Sequence, residues 1–109
     1  MSKRSTYSPY TEHAVRLLGS LVLQGRQRRR WSAEELANRI GISRRTLGKI
    51  EHGDPSVGIG LAFEAARLVG VPLFHEDASA LRGELARSRD RLSLLPQRVR
   101  TREAVDDDF

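Results

Sequence analysis

The sequence predicts an all-α protein, and three observations carry that prediction. Apolar residues recur at three- and four-residue spacings, Ser residues stand where helix caps are needed, and stops built on Gly and Pro separate the periodic segments. The 109 residues suit one domain followed by a tail. The expected division is a helical domain over 8–75, a C-terminal helix within 76–95, and a tail over 96–109.

The first helix is expected over residues 9–28. Ser8 is its cap, and Pro9 loses no hydrogen bond at the first helical position. Ala14, Leu18, Leu21 and Val22 form the expected buried stripe, while Gly19 and Gly25 each cost about 1 kcal/mol relative to Ala. Ser32-Ala33-Glu34-Glu35 reads as a capping box that opens the second helix, with Trp31 and Leu36 placed as a hydrophobic staple. Leu36, Ala37 and Ile40 face inward, and Gly41 ends the helix by taking a left-handed conformation.

A third helix follows at once over 44–51, capped by Ser43, with Leu47 and Ile50 on its narrow apolar side. Gly53 closes it. Ser56 is the expected cap of a fourth helix whose core residues are Leu61, Ala62, Ala65, Leu68 and Val69. Gly70-Val71-Pro72 stops that helix. Leu73 and Phe74 are expected to make a short fifth turn over the core. A final helix is expected over 78–95, with Leu81, Leu85 and Leu92 on one face, and Pro96 breaks it. The tail turns from basic to acidic and is expected to be disordered when alone.

The net charge is +5, and it is unevenly placed. Residues 26–49 carry eight basic side chains against Glu34 and Glu35, a net +6, so the rest of the chain sums to −1. Such a footprint favours a polyanionic partner, because neutralising phosphates releases condensed counterions. A solvated basic face explains the charge equally well, so charge alone does not decide.

Cysteine is absent, which removes disulfides, thiolate metal sites and Cys nucleophiles. No apolar run follows Lys3 and Arg4 near the start, and the apolar stretch 17–23 is too short to span a membrane. A cytoplasmic protein without cofactor or metal is expected. His13, His52 and His75 lack metal-ligand spacing. Without a nucleophile–base pair, a metal set or a phosphate-cradling Gly loop, no catalytic residue is assigned and enzyme function is not expected.

Two helices joined by Gly41-Ile42-Ser43, the second with a polar outer face, describe a DNA-binding helix-turn-helix. Small Ala37 lets the helices approach, and Leu36, Ile40, Leu47 and Ile50 lock the pair to the core. The free face of the second helix then suits a major groove.

The motifs Trp31-Ser32-Ala33-Glu34-Glu35-Leu36-Ala37, Ile40-Gly41-Ile42-Ser43 and Leu47-Gly48-Lys49-Ile50-Glu51-His52-Gly53 resemble the lambda-repressor-like, XRE-type helix-turn-helix family. The resemblance covers roughly residues 12–75. It implies a compact five-helix DNA-binding domain, homodimers and palindromic double-stranded DNA operators. Carried over by position, Ser43, Arg44, Arg45, Thr46 and Lys49 are the base-reading candidates, since Arg bonds guanine O6 and N7 in bidentate fashion. Arg26, Arg28, Arg29, Arg30 and Ser32 form the expected phosphate set, with a solvated helix end as the competing reading. Ala33 stands where many members carry a phosphate-bonding Gln, which leaves that contact to Ser32 or the preceding arginines. Glu51 fits the family pattern as an anchor of the recognition helix rather than a catalytic acid.

The segment Leu94-Leu95-Pro96-Gln97-Arg98-Val99-Arg100, followed by Val105-Asp106-Asp107-Asp108-Phe109, resembles the tail of small XRE-type proteins that accompany HipA-like kinase toxins. That resemblance implies a HipB-type antitoxin that also represses its own operon. Leu81, Leu85, Leu92, Asp106, Asp107, Asp108 and Phe109 are the expected partner-binding residues, for a second copy or for the kinase. A stand-alone regulator, or an interaction module that no longer binds DNA, remains the alternative at this stage.

Overall fold

The computed structural model describes residues 6–96. Among these the protein is all-helical: α1 (Pro9–Arg28), α2 (Ala33–Ile40), α3 (Arg44–Glu51), α4 (Ile59–Leu68) and α5 (Ala78–Ser93). The chain divides into two compact units, Met1–Leu73 and Phe74–Phe109.

In the first unit, α1 and α2 each pack on both α3 and α4. The core is made by Val22, Leu36, Ala37, Leu47, Ile50, Ala65, Ala66 and Val69, with Leu18, Trp31, Ile40, Ile42, Val57 and Leu73 packed around it. The buried face of α1 differs from the expected stripe. Ala14 is exposed, and the inward line runs through Val15, Leu18, Gly19, Val22 and Gly25. In α4 the fully buried pair is Ala65 and Ala66, while Leu61 keeps 38% of its exposure. Small residues on that face let α4 lie close to its neighbours.

Local signals at the ends of α1, α2 and α3 behave as chemistry dictates. Ser8, Ser32 and Ser43 are extended N-caps whose hydroxyls accept from the amides of Thr11, Glu35 and Thr46. Only half of the expected capping box at α2 is present, because the Glu35 carboxylate pairs with Arg39 at 3.0 Å instead of reaching back to Ser32. Gly41 ends α2 at φ 89°, and the amides of Gly41 and Ile42 both donate to Ala37 O.

Two local expectations are corrected. Ser56 does not cap α4: its amide and hydroxyl donate to Asp54 Oδ1 at 2.8 and 2.7 Å, and α4 begins later, behind Gly58, without a side-chain cap. The Asp54-Pro55-Ser56 corner satisfies its own polar groups first, which delays the helix. These bonds from Ser56 hold the Asp54 carboxyl below its ordinary pKa. The corner is therefore at full strength above the ordinary carboxylate range and weakens as pH falls through the lowered value. The expected turn at Leu73 and Phe74 is a bend rather than a helix, with Leu73 on the core and Phe74 exposed.

In the second unit, Asp77 caps α5 by accepting from Ser79 N at 2.9 Å. No residue of α5 is buried, and Glu84 pairs with Arg87 and Arg91 along the same helix.

Gly19 sits where α1 crosses the end of α3. A Cβ there would strike the Ile50 carbonyl oxygen and come within 2.8 Å of that of Glu51. Both obstacles are backbone, so neither can rotate away. Gly19→Ala is expected to lose about 2 kcal/mol net, despite the better helix propensity of Ala. A urea denaturation midpoint lowered relative to the parent checks this.

Candidate nucleic-acid interface

The turn at Gly41 places α3 beside α2, with Leu47 and Ile50 buried beneath it. Their spacing of three residues turns the opposite side outward, and Arg44, Arg45 and Lys49 are exposed there. Among the described residues no carboxylate pairs with these three side chains. Thr46 is half-buried. The Ser43 hydroxyl accepts from Thr46 N at 3.0 Å and donates to Thr46 Oγ1 at 3.1 Å, so the cap fixes both hydroxyls at the start of α3. Thr46 keeps its own hydroxyl hydrogen for an outside acceptor. Gly48 lies on the outer side with open space where a Cβ would stand.

The far end of α3 is held by Arg26 of α1. Its Nε donates to Glu51 Oε2 at 2.7 Å and its Nη2 to Oε1 at 3.1 Å, while Nη1 reaches Trp31 O at 3.0 Å. The two paired side chains retain 15% and 8% of their exposure. Hydrogen bonding to Glu51 raises the Arg26 pKa above its ordinary value, against the opposing effect of burial, so the guanidinium stays charged. Glu51 is thus an anchor, in line with the family pattern.

This geometry sorts the arginines that sequence grouped together. Arg26 has three of its five donors engaged within the fold, one each from Nε, Nη1 and Nη2. Arg29 donates to Val69 O at 2.6 Å, at the end of α4, and lies 5.6 Å from the Trp31 ring. Arg39, absent from the expected set, stacks 4.1 Å from the same ring while pairing with Glu35. Arg28 and Arg30 are exposed and in no ion pair among the described residues. Ser32 is exposed, with its hydroxyl oxygen occupied by the α2 cap.

Arg30 carries the only positive φ outside glycine among the described residues, at 59°. It closes α1 at a position where Gly is the usual choice, at a cost of about 1 kcal/mol. Nothing in residue type or spacing marks that strain in the sequence.

Leu81, Leu85 and Leu92 lie exposed on α5. Asp106, Asp107, Asp108 and Phe109 lie outside the described residues. No cluster of metal-ligating side chains occurs among the described residues, and no described helix is long and apolar enough to cross a membrane.

A short helix capped at one end, clamped at the other and basic on its outer side defines a DNA-binding helix-turn-helix. Residues 22–75 match the helix-turn-helix family model, so this segment is a helix-turn-helix domain of the kind that DNA-binding transcriptional regulators carry. No curated protein and no solved structure gives a significant match to the chain.

Removing Arg26 leaves the Glu51 carboxylate buried without its partner. Arg26→Ala is expected to destabilise the fold by about 3 kcal/mol. Arg26→Lys recovers only part of that, because an ammonium cannot reproduce the two-pronged contact. Chemical denaturation of both variants reads the difference.

Proposed function

We propose that the chain is a sequence-specific repressor that binds a palindromic operator as a homodimer, with α3 in the major groove. The observation that carries this reading is the outward face of α3, where Arg44, Arg45 and Lys49 are exposed and in no ion pair among the described residues. Lys49 lies within electrostatic reach of Asp54, while Leu47, Ile50 and Glu51 hold the helix to the fold. Arg44 and Arg45, on the first turn, are placed to read base edges, as the N-terminal residues of a recognition helix do. Lys49 and Thr46 support them. Arg28 and Arg30 supply phosphate contacts, which position the protein without carrying sequence information.

Arg44→Ala and Arg45→Ala are each expected to reduce discrimination between operator and unrelated DNA by about 1–3 kcal/mol. Arg28→Ala is expected to weaken all duplexes alike and to lower the salt slope by about one contact. Fluorescence anisotropy across a salt series separates the two behaviours. Operator preference unchanged in both recognition-helix variants removes α3 as the reading element.

The reading extends to a HipB-type antitoxin that holds a HipA-like kinase inactive and represses their shared operon. Its support is the tail sequence ending Val105-Asp106-Asp107-Asp108-Phe109, in which an acidic run and a terminal aromatic suit a segment that orders on a basic groove. Deleting residues 96–109 is expected to abolish co-purification of the kinase while leaving operator affinity within about twofold, less than 0.5 kcal/mol. Retention of the kinase by the shortened chain removes the tail from this role. A chain that recovers no kinase from its native cell is a stand-alone regulator.

A further inference from the structure

The face left open on α5 has a stricter pattern than one apolar side. Ala78, Leu81, Leu85, Ser88 and Leu92, continued by Leu95 just past the helix end, alternate steps of three and four without a break. That is the a/d repeat of a coiled-coil seam, with Ala78, Leu85 and Leu92 at a and Leu81, Ser88 and Leu95 at d. Leu81, Leu85, Leu92 and Leu95 are 42%, 53%, 63% and 57% exposed, so the leucines of the seam are uncovered, with Ser88 between them half-buried.

The flanking charges say what covers it. Asp77, Glu84 and Arg91 fall at g, Arg82 and Arg89 fall at e, and Arg91 meets only Pro96 in a parallel pair. In a parallel pair each g residue faces the e residue of the next heptad on the other strand. Asp77 then meets the other copy's Arg82, and Glu84 meets the other copy's Arg89, an acid against a base at both levels. In an antiparallel pair e faces e and g faces g, which sets Arg82 against Arg89 and Glu84 against Arg91. Repulsion on one flank then offsets attraction on the other, and the parallel pair, attractive at both levels, is favoured.

We propose that α5 pairs with α5 of a second copy of this chain as a parallel, in-register, two-stranded coiled coil. Glu84 spends its charge along its own helix in the single chain, on Arg87 at 3.0 Å and Arg91 at 3.6 Å, and these exposed pairs exchange for the interchain one at little cost. Arg82 and Arg89 have no acidic partner among the described residues. Ser88 is the one polar residue on the seam, and it weakens the pair.

This deepens the homodimer of the proposed repressor by giving it a surface and an orientation. It rests on that reading only for its consequence at an operator. Self-association is measured without DNA, so its failure leaves DNA binding by α3 standing.

Sedimentation equilibrium of the full chain is expected to give a dimer that Leu85→Lys converts to a monomer. Arg89→Glu sets Glu84 against the new carboxylate and is expected to weaken the dimer about tenfold. Adding Glu84→Arg to it restores the parent affinity. An antiparallel pair behaves oppositely, since Arg89→Glu relieves its repulsion and tightens it.

The chain has no cysteine, so Ala78→Cys introduces a single thiol at one end of the seam. Mild oxidation is expected to link two copies in the parallel arrangement, whereas an antiparallel one holds the thiols about 25 Å apart. A monomer or trimer of the parent chain, a dimer tightened by Arg89→Glu, or an unlinked Ala78→Cys dimer each overturns the proposal.

Discussion

The grip of Arg26 on Glu51 is the contact on which the rest of the site depends. α3 has eight residues, too few for a helix to persist in water on its own. Leu47 and Ile50 bury it, but apolar contact is non-directional and leaves rotation about the helix axis weakly determined. The two-pronged bond from α1 removes that freedom, because both oxygens of Glu51 are held at once. Gly19 completes the arrangement by letting the α1 backbone approach the last carbonyls of α3 closely. The outward angle of Arg44, Arg45 and Lys49 is therefore set from the opposite side of the domain.

That constraint changes the meaning of the basic segment. Net charge and spacing treat Arg26, Arg28, Arg29 and Arg30 as equivalent, yet their hydrogen bonds divide them. Arg26 faces a carboxylate, and Arg29 caps a carbonyl at the end of α4 and lies beside Trp31. Trp31 is more than a staple, since it gathers Arg29 and Arg39 around its ring while its carbonyl accepts from Arg26. Part of the positive charge of this segment thus builds the platform, and only the rest is free for a polyanion.

The features legible in the sequence were those that a few neighbouring residues decide. Ser8, Ser32 and Ser43 act as caps because a hydroxyl meets an amide three residues ahead, and Gly41 takes the left-handed turn that a side chain resists. Ser56 misled because two local solutions competed, and Asp54 took its hydrogen bonds before a helix began. Ala14 misled because a stripe of period 3.6 admits neighbouring phases, and the choice belongs to the partner helices. The role of Arg26 depends on a residue 25 positions away, so no local pattern contains it. The family pattern did identify Glu51 as an anchor, without its partner.

Two positions cost stability without return from the chain's own packing. Gly48 weakens α3 by about 1 kcal/mol relative to Ala, although open space surrounds the place its Cβ would occupy. Arg30 holds a left-handed backbone that Gly would adopt more cheaply. Packing does not require a glycine at the first, and backbone geometry does not favour an arginine at the second. Strain that the fold does not itself need is a pointer to function. Under the proposed docking, a missing Cβ on α3 admits the duplex closely, and a guanidinium at the end of α1 adds charge for a phosphate. Both departures then follow from one outside partner, whereas the opposite side of α3, where Glu51 meets Arg26, shows no such sacrifice.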